Sequence, residues 1–364
     1  MGFSFIKDTN IDFVGQRRIA YCISALFLAV GFASMIFGAG PRLGIDFAGG
    51  VIVQVKFEQP VEDEKLKSGL STEKLPGLSI QSFGEGGRDY LVRFSTSDAS
   101  AQDLRDGVKE ALAEAFADNK SEIVRLEMVG PKVGADLTNK ALEALYYATL
   151  LIAVYISGRF EYRWLPAAIM AAVLWGGVYV AGLLGLSMGA LVCVALVITV
   201  LASWKLKLNF ALGAVIGLLH DVFITLGLLT LMNREIDLNV VAALLTLVGW
   251  SLNDTVIVYD RIREILRSKP KGDLASIINE SINKTLSRTI LTSGTTFLAV
   301  LTLFLLGGNV IYDFALTMLI GVIAGTLSSI YVSAPVLLAF GTTEQYMHAQ
   351  TQTEYEKPGE HGIV

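Results

Sequence analysis

The chain of 364 residues is 53% hydrophobic and only 17% charged, and it carries a net charge of −5. That balance is richer in apolar residues than soluble domains show, and the negative sign argues against a nucleic-acid partner. Cys22 and Cys193 both fall in apolar runs, which excludes a disulfide framework and a Cys-x-x-Cys metal site.

The first apolar stretch, about 19–39, follows Arg17 and Arg18. It is longer than the hydrophobic region of a signal peptide, and no Ala-x-Ala cleavage site follows, so it reads as an uncleaved first span. A segment of about 100 residues then separates it from the next apolar run, more than a connecting loop needs. Val51, Val53, Val55 and Phe57 alternate with more polar neighbours, as in a half-buried strand. A helix is expected over 61–70 and two strands over 78–84 and 89–95, with Gly84, Gly86 and Gly87 in the turn between them. Ser100 and Asp103 suit a capping box, ahead of Leu104, Val108, Leu112 and Phe116 on one helix face. Val124, Leu126 and Met128 alternate in a last strand. The order βαββαβ predicts an α+β ferredoxin-like domain over 41–135, on the periplasmic side.

Seven further spans are expected, at about 141–158, 165–186, 188–204, 209–231, 238–259, 288–306 and 313–340. Each is long enough to cross a hydrocarbon core of about 30 Å. The chain therefore reads as an α-helical polytopic membrane protein of about eight transmembrane helices. One set of short loops holds Arg17, Arg18, Arg159, Arg163, Lys205, Lys207, Arg261, Arg263, Arg267, Lys269 and Lys271; the other set, near Ser187, Arg234 and Asn309, carries one arginine. The positive-inside rule then places both termini in the cytoplasm of a cell with an inner membrane. Within 260–287, Leu274, Ile277, Ile278 and Ile282 recur at helical spacing after Pro270 and Gly272, which predicts a short amphipathic helix on the membrane surface. Residues 341–364 are polar and read as a disordered tail.

Ionisable residues inside the spans carry the functional signal. His220 and Asp221 sit mid-way along the fifth span, and Asp254 sits in the sixth within Asn253-Asp254-Thr255. An aspartate at a helix centre costs roughly 2.5–3.5 kcal/mol on insertion scales, so it must be paired, hydrated or protonated. A buried carboxyl that takes up and releases a proton is the minimal part of a proton pathway; the plainer reading is a hydrogen bond that ties helices together. Arg288, about one turn into its span, is placed to approach Asp254 or to snorkel to the headgroups. Thr292, Ser293, Thr295 and Thr296 permit close packing and interhelical hydrogen bonds, or a water-bearing relay. Gly321 and Gly325 read as a packing pair. No P-loop, dinucleotide fingerprint or nucleophile–base pair is present, so neither an enzyme nor a metal or cofactor site is expected.

Six stretches together resemble the SecD/SecF family of protein-export membrane subunits, on its SecF side. These are Gly44-Ile45-Asp46-Phe47-Ala48-Gly49-Gly50, the run 129–134 (VGPKVG), Arg159-Phe160-Glu161, His220-Asp221-Val222, the run 251–264 (SLNDTVIVYDRIRE) and the run 281–296 (SINKTLSRTILTSGTT). The resemblance implies an RND-superfamily fold and a subunit of a SecDF complex. Such a subunit uses the proton motive force to promote late steps of translocation through the SecYEG channel. It also implies the partners SecD and SecYEG, with YajC and YidC as further candidates, and an unfolded exported polypeptide as the cargo, all within membrane lipid. Asp254 and Arg288 match the intramembrane Asp and Arg of the family motifs, with Asn253 and Thr255 flanking the former, and Asp221 with His220 matches a further element. Asp46, Gly49 and Gly50 fall in the family's glycine motif.

One departure stands out. About 46 additional residues, beyond the short link of the family pattern, intervene between Arg159-Phe160-Glu161 and His220, room for two helices. Leu174 and Trp175 occupy the positions of His and Asp in a first copy of that helix. A helical hairpin near 165–204, inserted by partial duplication, leaves the sidedness of everything after it unchanged. Two rival readings remain open from the sequence: an RND-like proton-coupled exporter of a small molecule or lipid, and a scaffold whose carboxyls never titrate.

Overall fold

The computed structural model describes residues 9–38, 40–70, 78–83, 86–94, 101–161, 164–185, 188–268 and 273–340. The expected tail, the turn residues Pro270 and Gly272, and Ser100 of the expected capping box lie outside them.

The chain enters through α1 (Arg17–Phe37), then passes β1 (Arg42–Leu43) and the single turn α2 (Ile45–Ala48) into the α+β domain. That domain comprises β2 (Gly50–Phe57), α3 (Asp63–Leu70), β3 (Ser79–Phe83), β4 (Asp89–Phe94), α4 (Ala101–Ala115) and β5 (Ser121–Val129). Its antiparallel sheet runs β3-β4-β2-β5, the ferredoxin-like order. Val51, Val53, Val55 and Phe57 are buried against Leu66 and Leu70 of α3 and Val108 and Leu112 of α4. Full burial of an aliphatic or aromatic side chain of this kind contributes roughly 1.5–3 kcal/mol. Gly86 and Gly87, in the β3–β4 turn, take the positive φ values of 105° and 60° that favour glycine there.

The alternation in the last strand departs from expectation. Gln54 faces Arg125 but the next residue, Val55, faces Ile123, so Val124 is an extra residue in the ladder. The bulge turns the strand over in mid-course: Ile123 and Leu126 pack on the core while Val124, between them, is exposed.

The bundle follows as α5 (Pro131–Glu161), α6 (Trp164–Leu183), α7 (Met188–Lys205), α8 (Asn209–Leu231), β6 (Glu235–Ile236), α9 (Leu238–Arg267), α10 (Leu274–Leu306) and α11 (Asn309–Ser328). A five-residue π-helical segment (Ser329–Ser333) and α12 (Ala334–Ala339) complete the last helical run. Among the described residues, eight helical runs are long and apolar enough to cross a membrane. The central helix is α8, packed against α1, α5, α7, α9 and α11. α6 and α7 form the expected hairpin and lie against α5, with α7 also touching α8. In it, Leu174 is buried in the core and Trp175 is 74% exposed.

The expected surface helix within 260–287 is corrected. α9 runs on to Arg267, and residues from Leu274 form the first turns of the continuous helix α10. Leu274, Ile277, Ile278, Ile282 and Leu286 face the bundle core, together with Phe13 and Val14. The polar side of the same turns holds the segment before α1: Asn279 Oδ1 accepts from the Phe13 N–H (2.8 Å), and Asn283 bonds both backbone groups of Ile11. An apolar stripe of this width fits a protein neighbour as well as a membrane surface, and here protein covers it.

Candidate intramembrane acid site

The extension of α9 and α10 past their apolar cores keeps two residues level. Asp254 and Arg288 lie at nearly equal distances from the 268–273 connection, on helices that pack against each other. Asp254 is 1% exposed. Ser293 Oγ donates to its Oδ2 (2.8 Å), and Thr292 Oγ1 lies 3.3 Å from its Oδ1. The Thr292 hydroxyl has the Arg288 and Thr289 carbonyls as alternative acceptors at 3.0 and 3.1 Å, so it can swing onto or off the carboxyl. Arg288 is exposed on α10, one turn before Thr292. Two hydroxyls suit both forms of the acid, because each can donate to a carboxylate or accept from a carboxylic acid.

The other two residues of the Asn-Asp-Thr motif point elsewhere. Asn253 is exposed, while Thr255 is buried and bonds back to the Ser251 carbonyl at 3.4 Å. Of the remaining hydroxyls, Thr295 bonds back to its own helix, and Thr296 accepts from Trp250 Nε1 at 3.3 Å.

A second acid centre joins three helices. Asp221 on α8 is 1% exposed. Its Oδ1 lies 2.9 Å from Nδ1 of His220, and its Oδ2 accepts from Ser251 Oγ of α9 (2.6 Å) and Ser328 Oγ of α11 (2.9 Å). Ser251 stands one turn before Asp254, so both acids are anchored on the same stretch of α9. Gly325 lets α11 approach at this point, since a Cβ there would meet Ser251 and Trp250 at 3.0–3.2 Å. Sequence reasoning missed Ser251 and Ser328 as partners of Asp221; their only signal is a hydroxyl one turn from an intramembrane acid and a Ser-Ser pair late in the last span.

Just beyond Ser328 the helix widens into the π segment. Tyr259 of α9 donates to the Ser333 carbonyl (2.9 Å), and Gly213 and Gly217 of α8 make room for Ser333 and the Tyr259 hydroxyl. π segments occur frequently at functional sites.

The glycine motif plays a different part. α2 brings Asp46 to the start of α9, where its Oδ2 accepts the Leu238 N–H at 3.0 Å, and Asp237 caps the same end by accepting from Val240 N–H at 2.9 Å. β1 pairs in parallel with β6 beside them, and the Gly44 N–H donates to the Ile236 carbonyl. Gly49 and Gly50, at φ 73° and 130°, allow the chain to reverse against Pro131. Arg93 of β4 pairs with Glu235, and Arg234 lies 3.6 Å from Asp313. Burial pushes the Asp237 carboxyl above the usual carboxylate range, and the charge of Asp46 adds to the shift against the hydrogen bonds from Val240 and Asn239.

A bundle of eight long apolar helical runs with two buried acid centres, carrying a ferredoxin-like domain stitched to one helix end, defines a multi-pass membrane protein. The comparisons narrow this. The profile for "Protein export membrane protein SecD/SecF, C-terminal" matches residues 108–188 and 175–343, and that for the "SecD/SecF GG Motif" matches 34–61. A protein translocase subunit SecF from Calditerrivibrio nitroreducens is 39% identical over 331 residues, covering 90% of this chain and 93% of the relative. SecF from Magnetococcus marinus is 40% identical, covering 92% and 93%, and SecF from Escherichia coli O157:H7 is 36% identical, covering 96% and 92%. The crystal structure of SecDF from Thermus thermophilus superposes with a TM-score of 0.67 at 29% identity over 94% of this chain; the match spans 40% of the SecDF chain. The chain belongs to the SecD/SecF family of protein-export membrane proteins, in its SecF branch. The two profile matches overlap over residues 175–188, from within α6 to the start of α7.

Proposed function

We propose that the chain is the SecF half of a SecDF complex in the bacterial inner membrane and couples the proton motive force to late steps of translocation through SecYEG. SecD is its direct partner, with SecYEG, YajC and YidC as further members and an unfolded exported polypeptide as the cargo. Both termini lie in the cytoplasm and the α+β domain in the periplasm. The subunit does no covalent chemistry and needs no cofactor. One observation carries this reading: Asp254 is buried in a span, and among the described residues its carboxyl is bonded by the reorientable hydroxyls of Ser293 and Thr292. A carboxyl in such a place exchanges a proton without breaking a fixed ion pair, and the two forms favour different arrangements of α9 against α10. Asp221, held by three groups, is the more rigid of the two acids and serves as the pivot.

The test is Asp254→Asn in the complex reconstituted into vesicles with SecYEG. Stimulation of export by a proton gradient is expected to vanish, while co-purification with SecD is retained. Normal stimulation, or stimulation by a sodium gradient alone, overturns the proton assignment.

A further inference from the structure

Three hydroxyls lie on the buried side of α10 between the 268–273 connection and the level of Asp254. Ser281, Thr285 and Thr289 recur every four residues and are 0%, 8% and 1% exposed. Ser281 and Thr285 donate to the carbonyls of Ile277 and Ser281, at 2.7 and 2.9 Å. Thr289 Oγ1 is buried and has no hydrogen-bond partner among the described residues. Buried polar groups of folded proteins nearly always have one, so the exception calls for a reason.

Helix geometry gives the direction in which Thr289 points. Successive residues of an α-helix turn by about 100°. Thr292 and Ser293 both bond Asp254, so the carboxyl stands between their two directions. Thr296 and Thr289 fall in the same sector, about 40° and 60° round from Thr292, one turn to either side. Residues at this spacing have Cβ atoms about 5–6 Å apart. Thr296 is engaged, because it accepts from Trp250 Nε1 at 3.3 Å. Thr289 is the hydroxyl beside Asp254 whose lone pairs are committed to nothing. A carboxylate needs donors, and Ser293 and Thr292 supply them; a carboxylic acid has an O–H that needs an acceptor.

We propose that Thr289 Oγ1 accepts the hydrogen of the protonated Asp254 carboxyl and so holds the loaded acid towards the 268–273 end of the bundle. Its own hydrogen then turns to the Thr285 carbonyl, the bond that Thr285, Thr292 and Thr295 each make four residues back. Thr289 is a positioning residue for the acid. The inference rests on the proton reading of Asp254 and gives the loaded form its cytoplasmic side.

The test is an infrared titration of the full chain with SecD in phospholipid vesicles. The carboxylic-acid carbonyl band of Asp254 is the one missing from Asp254→Asn. Removing the acceptor destabilises the protonated form, so Thr289→Val is expected to lower the midpoint of that band by about one pH unit, tenfold in proton affinity. Thr289→Ser keeps the hydroxyl and restores the midpoint, and Thr296→Val leaves it unlowered. A change of packing alone acts the other way, since a methyl in place of a hydroxyl makes the surroundings less polar and disfavours the charged form. The other charged or titratable groups on the elements round Asp254 stay the same in every variant. They are Arg288 on α10, Asp221 and His220 on α8, Tyr259 on α9 and Tyr331 in the π segment, with Tyr312 and Asp313 in the first turns of α11 and the exposed Tyr155 and Arg159 on α5. Thr289→Ala gives the same fall if the valine variant does not assemble with SecD. A midpoint unchanged or raised in the folded variant overturns the inference and leaves proton coupling standing. A wild-type band that never titrates overturns both.

Discussion

Asp46 shows what a motif residue contributes when it does no chemistry. Its carboxylate reaches a helix N-terminus far away in sequence and accepts an N–H that the helix itself leaves unpaired. Removing such a cap costs about 0.5–2 kcal/mol, so Asp46→Ala is expected to lower the unfolding free energy of the detergent-solubilised chain by that amount and its thermal midpoint with it, with Asp46→Asn closer to wild type. Asp237, at the same end, gives a pH signature. Its folded carboxyl titrates above its unfolded value because it is buried next to Asp46. The folded state therefore binds the proton more tightly, and stability falls as pH rises from the ordinary carboxylate range through the folded pKa. Unfolding followed against pH should show that downward slope in wild type and a flatter profile in Asp237→Asn. A third residue, Gly213, sits where any Cβ meets the Tyr259 hydroxyl and the Ser333 carbonyl. Gly213→Ala is expected to cost roughly 1–3 kcal/mol through overpacking, and Tyr259→Phe roughly 0.5–1.5 kcal/mol by removing the hydrogen bond to that carbonyl.

At the level of elements, hydropathy made all eight spans legible, and period-two and period-four patterns made the βαββαβ domain legible. Three features escaped for separate physical reasons. The bulge at Val124 adds one residue to one strand, which shifts the inward face midway and breaks the assumption that Val124, Leu126 and Met128 share a side. The continuity of α10 is hidden because Ile277, Ile278 and Ile282 present the same apolar stripe whether lipid headgroups or Phe13 cover it. The π segment has no periodic trace, although Pro335, with no N–H to give, stands just after it. Of the site, Asp254, Asp221, His220 and Arg288 are visible as ionisable residues in apolar runs. Ser251 and Ser328 are not, because small hydroxyl residues are common at helix interfaces and only the folded bundle shows which ones reach an acid. Exchanging Ser328 for alanine removes one of the two hydroxyl donors to Asp221; hydrogen exchange on α11 measures the loosening that is expected near Gly325.

On the scale of the whole molecule, the α6–α7 hairpin lies against α5 and α7 also reaches α8, but among the described residues neither helix contributes a side chain to the two acid centres. Deleting 164–205 removes two crossings at once, so every later helix keeps its direction. Cysteine accessibility at sites placed before α8 and after α12 should report the same sides as in the intact chain. Deleting α6 alone should reverse them. The β1–β6 pairing and the Asp46 cap have a mechanical corollary for the same architecture. They clamp the first strand leading into the sheet to the very tip of the rod on which Asp254 rides, with the single turn α2 and the Gly49–Gly50 bend between clamp and sheet. A rod that slides lengthwise by even a fraction of a turn drags the clamp with it, and the domain above tips like a lid on a hinge pin.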